Sequence, residues 1–340
     1  MRMTVLASGS KGNSTVISSS RTRLLVDAGL SCRELLRRMA LAGEDPTTLN
    51  AILITHEHID HVAGLAVLAR RLNIPVFFTE PTHRAWVRML TPRTTMTYAK
   101  WLEHVQQEKA ARAAAAVSPL RSDDSDPTLE LPIDLPADLP ADLAVDLAAA
   151  EDPTPDPDAD LDPPQPRQKS SPAHLPAVEY FTPGTPFAIG DIDITPFTIP
   201  HDAADPCGFV LQADGLRMAL ATDLGYVPPN VKAALQRIDI LLLESNHDLE
   251  MLRDGPYPWS VKQRVLSRVG HLSNHATAEF LANDYDGSAS CIILGHLSQS
   301  NNAPELALLA AEQALANHPR LLGNRILLAR QDIPLDPISV

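Results

Sequence analysis

Cysteine is scarce in this chain, and its few cysteines are far apart. The sequence holds three, Cys32, Cys207 and Cys291, and no two of them form a Cys-x-x-Cys pair. An odd number of widely spaced thiols argues against a disulfide framework and against zinc held by sulfur. The pattern is typical of a protein that stays reduced, and we expect a cytoplasmic location.

Long apolar segments are also missing. No stretch reaches the roughly 18 consecutive apolar residues that a membrane-spanning helix needs. The first residues lack the apolar core of a signal peptide, and residues 4–7 have the pattern of a β-strand instead. We therefore expect no membrane segment.

The chain lacks the basic excess that is common in nucleic-acid binders, because its formal net charge is −14. This charge is unevenly placed. Residues 118–176 contain 13 of the 30 prolines, 14 of the 42 acidic and three of the 28 basic side chains, and neither glycine nor an aromatic residue. They account for 11 of the 14 net negative charges, so the rest of the chain is close to neutral.

The composition of residues 118–176 predicts a disordered or extended acidic insert. Frequent proline removes helix and sheet options, and the like charges repel each other. We therefore divide the chain into an N-terminal half (residues 1–117) and a C-terminal half (residues 177–340) of one domain, separated by this insert. The insert is a candidate for contacts with protein partners.

The most informative segment is HEHIDH at residues 56–61. It follows an apolar run at residues 51–55 that is typical of a buried strand, and a helical pattern begins at Val62. Three imidazoles and a carboxylate on one turn gain nothing from packing, and burying them is unfavourable unless a cation neutralises them. A solvated polar loop is the alternative, and we favour a metal site.

Three further polar side chains follow strand-like runs. Residues 193–200 precede His201, residues 218–222 precede Asp223, and residues 291–295 precede His296. In layered α/β folds, sites gather at the ends of strands, so we expect these residues to converge on one cleft. Each residue alone also fits a turn or a helix cap, whereas the three together favour a site.

Strand-like and helical patterns alternate along both halves, which indicates an α/β fold. The predicted strands are residues 4–7, 15–18, 23–27, 51–55, 75–79, 187–189, 193–199, 208–213, 217–221, 238–243, 290–294 and 325–329. The predicted helices are residues 32–42, 62–73, 230–237, 261–268, 276–284 and 304–317. Periodicity alone goes no further than this class.

The motif H-x-H-x-D-H, with separate His, Asp and His positions after it, resembles the metallo-β-lactamase superfamily of dinuclear hydrolases. Within it, the chain looks similar to the YycJ/WalJ-like branch. That similarity rests on motifs at residues 8–14, 201–206, 222–226, 244–248, 255–259, 270–274 and 295–298, and it covers nearly the whole chain except the insert. The resemblance implies a four-layer αββα sandwich and, from the branch, DNA exonuclease activity.

The resemblance also implies a ligand set. One divalent ion would be held by His56, His58 and His201, and a second by Asp60, His61 and His296, with Asp223 bridging the two. Nitrogen and oxygen donors suit zinc or manganese. Two such ions lower the pKa of a water that bridges them, and the resulting hydroxide would attack a phosphodiester.

Asp60 and His271 are the predicted catalytic residues. The setting of His271 in Gly-His-Leu-Ser-Asn resembles the position of the catalytic histidine in the related RNase Z group, where it would donate a proton to the leaving oxygen. The alternative is that His271 only begins the following helix. Asp27 is predicted to support a metal ligand through a hydrogen bond, unless backbone amides at a hairpin end satisfy it.

The loop at residues 8–14 contains two glycines, hydroxyls and Lys11, but it lacks the Walker pattern of phosphate-binding loops. A plain glycine turn fits the spacing equally well. The branch resemblance favours substrate contacts through Ser10 and Asn13.

The resulting expectation is a dinuclear phosphodiesterase that acts on nucleic acid, with DNA preferred over RNA. Because the folded part is near neutral, binding would need a local basic patch. The candidates for it are Arg33, Arg37, Arg38, Arg70 and Arg71. One alternative is RNase Z-like tRNA processing, although residues 295–300 lack the Arg-Tyr ending of that group. Hydrolysis of a small phosphodiester or thioester is another, and a non-catalytic scaffold is a third.

Overall fold

Two β-sheets form the centre of the protein. The computed structural model describes residues 1–91, 171–316 and 325–339. They belong to one unit, Met1–Pro92 together with Ser170–Val340. Within the described residues each sheet has seven strands.

The first sheet uses both ends of the chain. Its strands are β1 (Arg2–Ala7), β2 (Ser14–Ser18), β3 (Arg23–Val26), β4 (Ala51–Leu53), β5 (Val76–Phe78), β6 (Val178–Tyr180) and β14 (Ile338–Ser339). They lie in the order β14-β1-β2-β3-β4-β5-β6. The strands β14, β1, β2 and β3 pair antiparallel, whereas β3 to β6 are parallel. Because parallel neighbours end at the same edge, the residues that follow β3 and β4 lie side by side.

The second sheet has a related arrangement. Its strands are β7 (Phe187–Ile189), β8 (Ile192–Thr198), β9 (Cys207–Ala213), β10 (Leu216–Ala221), β11 (Ile240–Glu244), β12 (Cys291–Gly295) and β13 (Arg325–Leu328). The strands β7 to β10 pair antiparallel, and β10 to β13 are parallel. The chain therefore leaves β10, β11 and β12 at one common edge.

Helices lie on the outer faces of both sheets. Those of the first half are α1 (Cys32–Leu41), α2 (Ile59–Val62), α3 (Leu65–Leu72) and α4 (Glu80–Leu90). Those of the second half are α5 (Pro229–Ala234), α6 (Leu249–Asp254), α7 (Trp259–Val265), α8 (Asn274–Asn283) and α9 (Pro304–Ala316). Their first turns follow the usual capping chemistry: the hydroxyl of Ser31 accepts from Glu34 N at α1, and that of Ser273 accepts from Ala276 N at α8. No helix among the described residues has both the length and the apolar character needed to cross a bilayer.

Three apolar layers hold these elements together. Alternate side chains of both sheets, such as Met3 and Phe209, form the layer between the sheets. Leu35 and Trp86 pack helices onto the first sheet, and Phe280 belongs to the layer that packs helices onto the second. Burying each such side chain contributes roughly 1.5–3 kcal/mol. The order of layers is helix, sheet, sheet, helix, which confirms the predicted αββα sandwich.

One predicted helix is wrong in its extent. Residues 62–73 do not form a single helix, because α2 ends at Val62 and α3 begins at Leu65. Gly64 lies in the break, donates its amide to Ala28 O, and has no room for a Cβ, which would lie 2.1 Å from Leu30 O. The segment after β3 thus approaches too closely for a continuous helix.

Four elements of the structure were not predicted. They are β6, β14, α4 and α6. For α4 the signal was present, because Thr79 caps the helix and a proline stands in its first turn.

The described chain resumes at Ser171, inside the range assigned to the acidic insert. Leu175 is buried against the outer layer of the first sheet, and Arg70 donates hydrogen bonds to the carbonyls of Pro172 and His174. The preceding part of the insert lies outside the described residues. Its predicted disorder and protein partners stay predictions.

Candidate metal centre

The predicted metal ligands come together at one edge of the sandwich. Residues 56–61 follow β4, and the other three ligands follow β8, β10 and β12. These side chains form three overlapping groups of three whose ligand atoms all lie within 4.8 Å of one another, and a fourth group joins Asp223 and His296 to Glu244 and His271. The convergence expected from the strand ends is therefore present in the structure.

The first group consists of His56, His58 and His201. Nδ1 of His58 lies 3.2 Å from Nε2 of His201. The ring of His56 stands edge-on to both, with centroid distances of 4.6 and 5.0 Å. Its Nδ1 is 3.0 Å from the Thr55 hydroxyl, which leaves Nε2 as the free ligand atom.

The second group consists of Asp60, His61 and His296. Oδ2 of Asp60 lies 3.5 Å from Nε2 of His61 and 3.5 Å from Nε2 of His296. One carboxylate oxygen and two imidazole nitrogens thus face a common point.

Asp223 lies between the two groups. Its Oδ1 is 4.0 Å from Nε2 of His201, and its Oδ2 is 3.4 Å from Nε2 of His61. Its Oδ1 is also 3.2 Å from Nδ1 of His296, so the carboxylate lies within reach of both groups, as a bridging carboxylate would.

The chemistry of these side chains fits bound cations. Nε2 of His56, Nε2 of His296 and Oδ2 of Asp223 are buried and have no hydrogen-bond partner among the described residues. Leaving such groups unpaired costs about 1–3 kcal/mol each. Burial lowers the pKa of His61, but the carboxylates of Asp223 and Asp27 outweigh that effect and raise it to about 9. The carboxylates around His61 thus favour positive charge next to it, which a divalent ion held by the second group would supply.

Three residues of the centre have left-handed backbone conformations. Asp27, Asp223 and His296 have φ values of 61°, 63° and 55°. Residues other than glycine rarely adopt this region, and it is retained where the surrounding structure fixes it. In each case the chain turns abruptly just past a strand, which directs the side chain into the centre.

These observations can be compared with known proteins. Residues 7–261 match the family model described as the metallo-beta-lactamase superfamily. The chain belongs to this superfamily.

Two relatives within it are similar over most of their length. The exodeoxyribonuclease WalJ of Streptococcus pneumoniae serotype 2 is 32% identical over 315 residues, which cover 93% of this chain and 88% of WalJ. The exodeoxyribonuclease YycJ of Bacillus anthracis is 31% identical over 315 residues, covering 93% of this chain and 89% of YycJ. The resemblance to the YycJ/WalJ-like branch is confirmed.

A solved structure supports the fold alone. The metallo-beta-lactamase fold protein YhfI from Bacillus subtilis superimposes with a TM-score of 0.57 at 13% identity, covering 98% of this chain and 99% of YhfI. The described residues therefore share the fold of that protein.

Asp27 contacts the predicted metal ligand His61. Its Oδ2 is 2.8 Å from Nδ1 of His61 and accepts from the Thr55 hydroxyl at 2.8 Å, while its Oδ1 accepts from Thr55 N at 2.9 Å. Burial raises the pKa of Asp27, and the charge on His61 partly offsets this. The carboxylate thus makes both the ligand contact and the backbone contact that the sequence left as alternatives.

Glu244 is a site residue that the sequence reasoning missed. It ends β11, is fully buried, and its Oε1 accepts hydrogen bonds from Nδ1 of His271 and Nδ1 of His296, both at 2.8 Å. Its Oε2 accepts from the amides of Leu224 and Leu272. Burial alone would raise the pKa of Glu244, but the imidazole of His271 and that of His296 lower it below its usual range. The sequence pattern could have indicated this residue, because Glu244 directly follows the apolar run at residues 240–243.

His271 lies at the rim of the centre. Its side chain is 21% exposed, and its ring centroid is 5.1 Å from those of His201 and His296. Because Nδ1 faces Glu244, the nitrogen left for a substrate is Nε2. This placement is compatible with the predicted proton donor, and the catalytic role stays a prediction.

The loop at residues 8–14 contacts the centre through Asn13. The Asn13 side chain is buried, and its amide nitrogen lies 3.2 Å from Oδ2 of Asp60 and 3.1 Å from Nε2 of His61. The Ser8 hydroxyl accepts from His296 N. Ser10 is exposed and makes no such contact. The substrate contacts predicted for Ser10 and Asn13 stay predictions, and the geometry adds a ligand contact for Asn13.

The predicted basic patch is wrong for Arg38. This residue is 6% exposed and donates to the carbonyls of Leu6 and Gln331. Arg37 is paired with Glu34 at 2.6 Å. Arg38 therefore stabilises the fold around α1 and offers no free cationic surface, whereas Arg37 is 53% exposed and stays a candidate for the basic patch.

Proposed function

We propose that this chain is a metal-dependent exodeoxyribonuclease whose centre holds two divalent ions. The main support is that the carboxylate of Asp223 lies between two groups of potential metal ligands, 4.0 Å from Nε2 of His201 and 3.4 Å from Nε2 of His61. In addition, a relative that is 32% identical is named an exodeoxyribonuclease. Zinc or manganese suits the nitrogen and oxygen donors. When bound, such ions supply Lewis acidity toward phosphate oxygens and lower the pKa of a water.

In this proposal the chain's own residues orient the ligands and move one proton. Asp27 accepts the Nδ1 proton of His61, and Glu244 accepts that of His296, so Nε2 of each ring presents its lone pair to the centre. His271, also held at Nδ1 by Glu244, donates the proton on Nε2 to the leaving 3′ or 5′ oxygen. We infer that the reaction takes place in the cytoplasm, because the three cysteines are free thiols, as is typical of a reducing compartment.

Two measurements on purified protein test this proposal. Metal analysis of untreated protein should find close to two equivalents of ion per chain. Linear end-labelled DNA incubated with manganese or zinc should release mononucleotides, whereas closed circular single strands should stay intact because they have no ends. Asp60→Ala and His61→Ala, tested separately, should abolish release. If linear DNA stays intact both with manganese and with zinc, the proposal is contradicted.

The same buffer separates the alternative functions. Precursor tRNA cleaved faster than DNA would favour RNase Z-like processing. Turnover of bis(p-nitrophenyl) phosphate without any release from DNA would favour a small-molecule phosphodiesterase. No turnover of any substrate by fully metallated protein would favour the scaffold.

A further inference from the structure

One surface segment next to the centre is basic although the chain as a whole is acidic. Between Gly255 and Ala278 the sequence has no acidic residue, whereas Lys262, Arg264 and Arg268 are basic. These residues lie on α7 and on the turn that leads from it to His271.

Arg264 reaches the centre through one ion pair. Its Nε makes a short contact with Oδ2 of Asp202, and Oδ1 of Asp202 lies 3.4 Å from Nε2 of His201. The Arg264 side chain is nevertheless 62% exposed. Asp202 therefore fixes the guanidinium, while its two terminal nitrogens have no partner among the described residues.

Arg268 is held by an aromatic ring in place of a carboxylate. Its guanidinium carbon lies 4.3 Å from the centroid of the Tyr226 ring, a cation–π contact. Arg268 is exposed, and no carboxylate of the described residues pairs with it. Its five donors are therefore available to an anion.

The backbone fixes both arginines relative to the centre. A Cβ on Gly225 would lie 2.4 Å from the carbonyl carbon of Arg268, so the two chain segments are in direct contact. Asp202 N donates to Val269 O at 3.1 Å, and Nδ1 of His201 is 3.2 Å from Gly270 O. The turn that carries Arg268 is thus attached to the loops that carry His201 and Asp223.

We propose that Arg264 and Arg268 bind phosphates of the DNA strand next to the phosphate that is cleaved, and that Tyr226 positions Arg268. Guanidinium groups bind phosphate through several donors at once, and a fixed side chain loses less entropy on binding. Arg264 is linked through Asp202 to the predicted ligand His201, and Arg268 lies three residues before His271. This inference rests on the proposed nuclease function, and it assigns to this surface the contacts that distinguish a polymer from a small phosphodiester.

Salt dependence of binding tests the proposal. The variants are Arg264→Gln, Arg268→Gln, Tyr226→Leu and Tyr226→Phe, each in an Asp60→Asn background that stops cleavage, and the probe is a labelled 20-mer single strand. The slope of log affinity against log salt is negative, and each lost phosphate contact reduces its magnitude by about 0.7. We expect that reduction for both arginine variants and about 5- to 20-fold weaker binding. Tyr226→Leu should weaken binding about threefold, and Tyr226→Phe, which keeps the ring, should not.

The matched control is Arg21→Gln. Arg21 is 80% exposed and lies 3.6 Å from Asp191, so it is also a surface cation beside a carboxylate, but it sits in the β2–β3 turn at the end of β3 opposite the centre. The salt slope of the Arg21→Gln variant should equal that of the Asp60→Asn parent protein. Slopes unchanged in Arg264→Gln and Arg268→Gln would overturn the proposal.

A second arm uses the same substitutions in otherwise unaltered, metal-loaded enzyme. Turnover of bis(p-nitrophenyl) phosphate should stay within twofold of wild type, while kcat/KM for the 20-mer falls. Equal losses on both substrates would mean that the centre itself is disturbed, which also overturns the proposal. If wild type releases no nucleotides yet the slopes respond as expected, the nuclease function fails and the phosphate-binding surface stands.

Discussion

Glu244 holds His271 at 2.8 Å through a carboxylate oxygen that it also presents to a ligand of the metal centre. One buried group thus fixes both a predicted proton donor and a predicted metal ligand. Both residues therefore depend on Glu244 for their orientation.

Glu244→Gln should lower activity and metal affinity by about 10- to 100-fold. A glutamine offers one acceptor oxygen where four donors converge, so at least one donor meets the amide NH₂ group. The matched control is Glu57→Gln, because Glu57 is also buried but within the described part of the chain accepts only from Ala204 N. The activity and the metal affinity of that variant should each fall by less than about threefold. Metal titration and nuclease rates measure both, and equal losses would contradict the role of Glu244.

His271→Ala should affect substrates according to their leaving groups. A general acid contributes about 10²- to 10⁴-fold when the leaving oxygen must be protonated. DNA has such a leaving group, whereas p-nitrophenolate departs without a proton. We therefore expect a loss in that range on DNA and a much smaller one on bis(p-nitrophenyl) phosphate. A uniform loss on both substrates would mean that His271 acts on the centre as a whole.

Asn13→Ala should reduce metal retention, because its amide donates to Asp60 in the ligand group. We expect about 10-fold weaker metal binding. Ser10→Ala, at an exposed position of the same loop, should leave the metal content unchanged. If Ser10→Ala and Asn13→Ala both raise KM for DNA at full metal loading, the loop binds substrate as the sequence predicted.

Gly29→Ala should disrupt the centre through its backbone. A Cβ there would lie 1.7 Å from Asp60 O and 2.6 Å from Asn13 N, and neither atom has freedom to move away. We expect nuclease activity to fall more than about 100-fold, the upper range for disturbed ligand support. Gly43→Ala is the control, because its φ is 70° but, apart from its chain neighbours, no described residue has an atom within 4 Å of the added methyl. It should cost roughly 1–2 kcal/mol of stability and no activity.

His247→Leu should flatten the pH dependence of stability. Burial lowers the pKa of His247 from 6.5 to about 4, and neither ring nitrogen has a partner among the described residues. Between these values the unfolded chain binds more protons, so the native protein loses stability as the pH falls. For this group the loss from pH 8 to pH 5 is about 2 kcal/mol. Urea unfolding in EDTA should show that difference between wild type and variant, and parallel losses in the two proteins would contradict it.

The sequence by itself singled out the side chains that converge in the candidate metal centre, because each of them follows an apolar run. HEHIDH at residues 56–61, and the isolated His201, Asp223 and His296, are each visible as a polar break after such a run. The strands before His201, Asp223 and His296 belong to one sheet, so local patterns were enough to predict that these three meet at one edge. Residues 56–61 follow a strand of the other sheet, and only the packing of the two sheets brings them to the same place. The layered α/β class followed from the same alternation.

The tertiary structure alone decided how those ligands are held and what surrounds them. Glu244 contacts His271 and His296, which are 27 and 52 residues away, and Asn13 reaches Asp60 across 47 residues. The left-handed turns at Asp27, Asp223 and His296 likewise exist only because the packed sheets enforce them. Periodicity reports the local backbone, whereas these contacts depend on which loops meet in space, and that is settled only when both sheets pack.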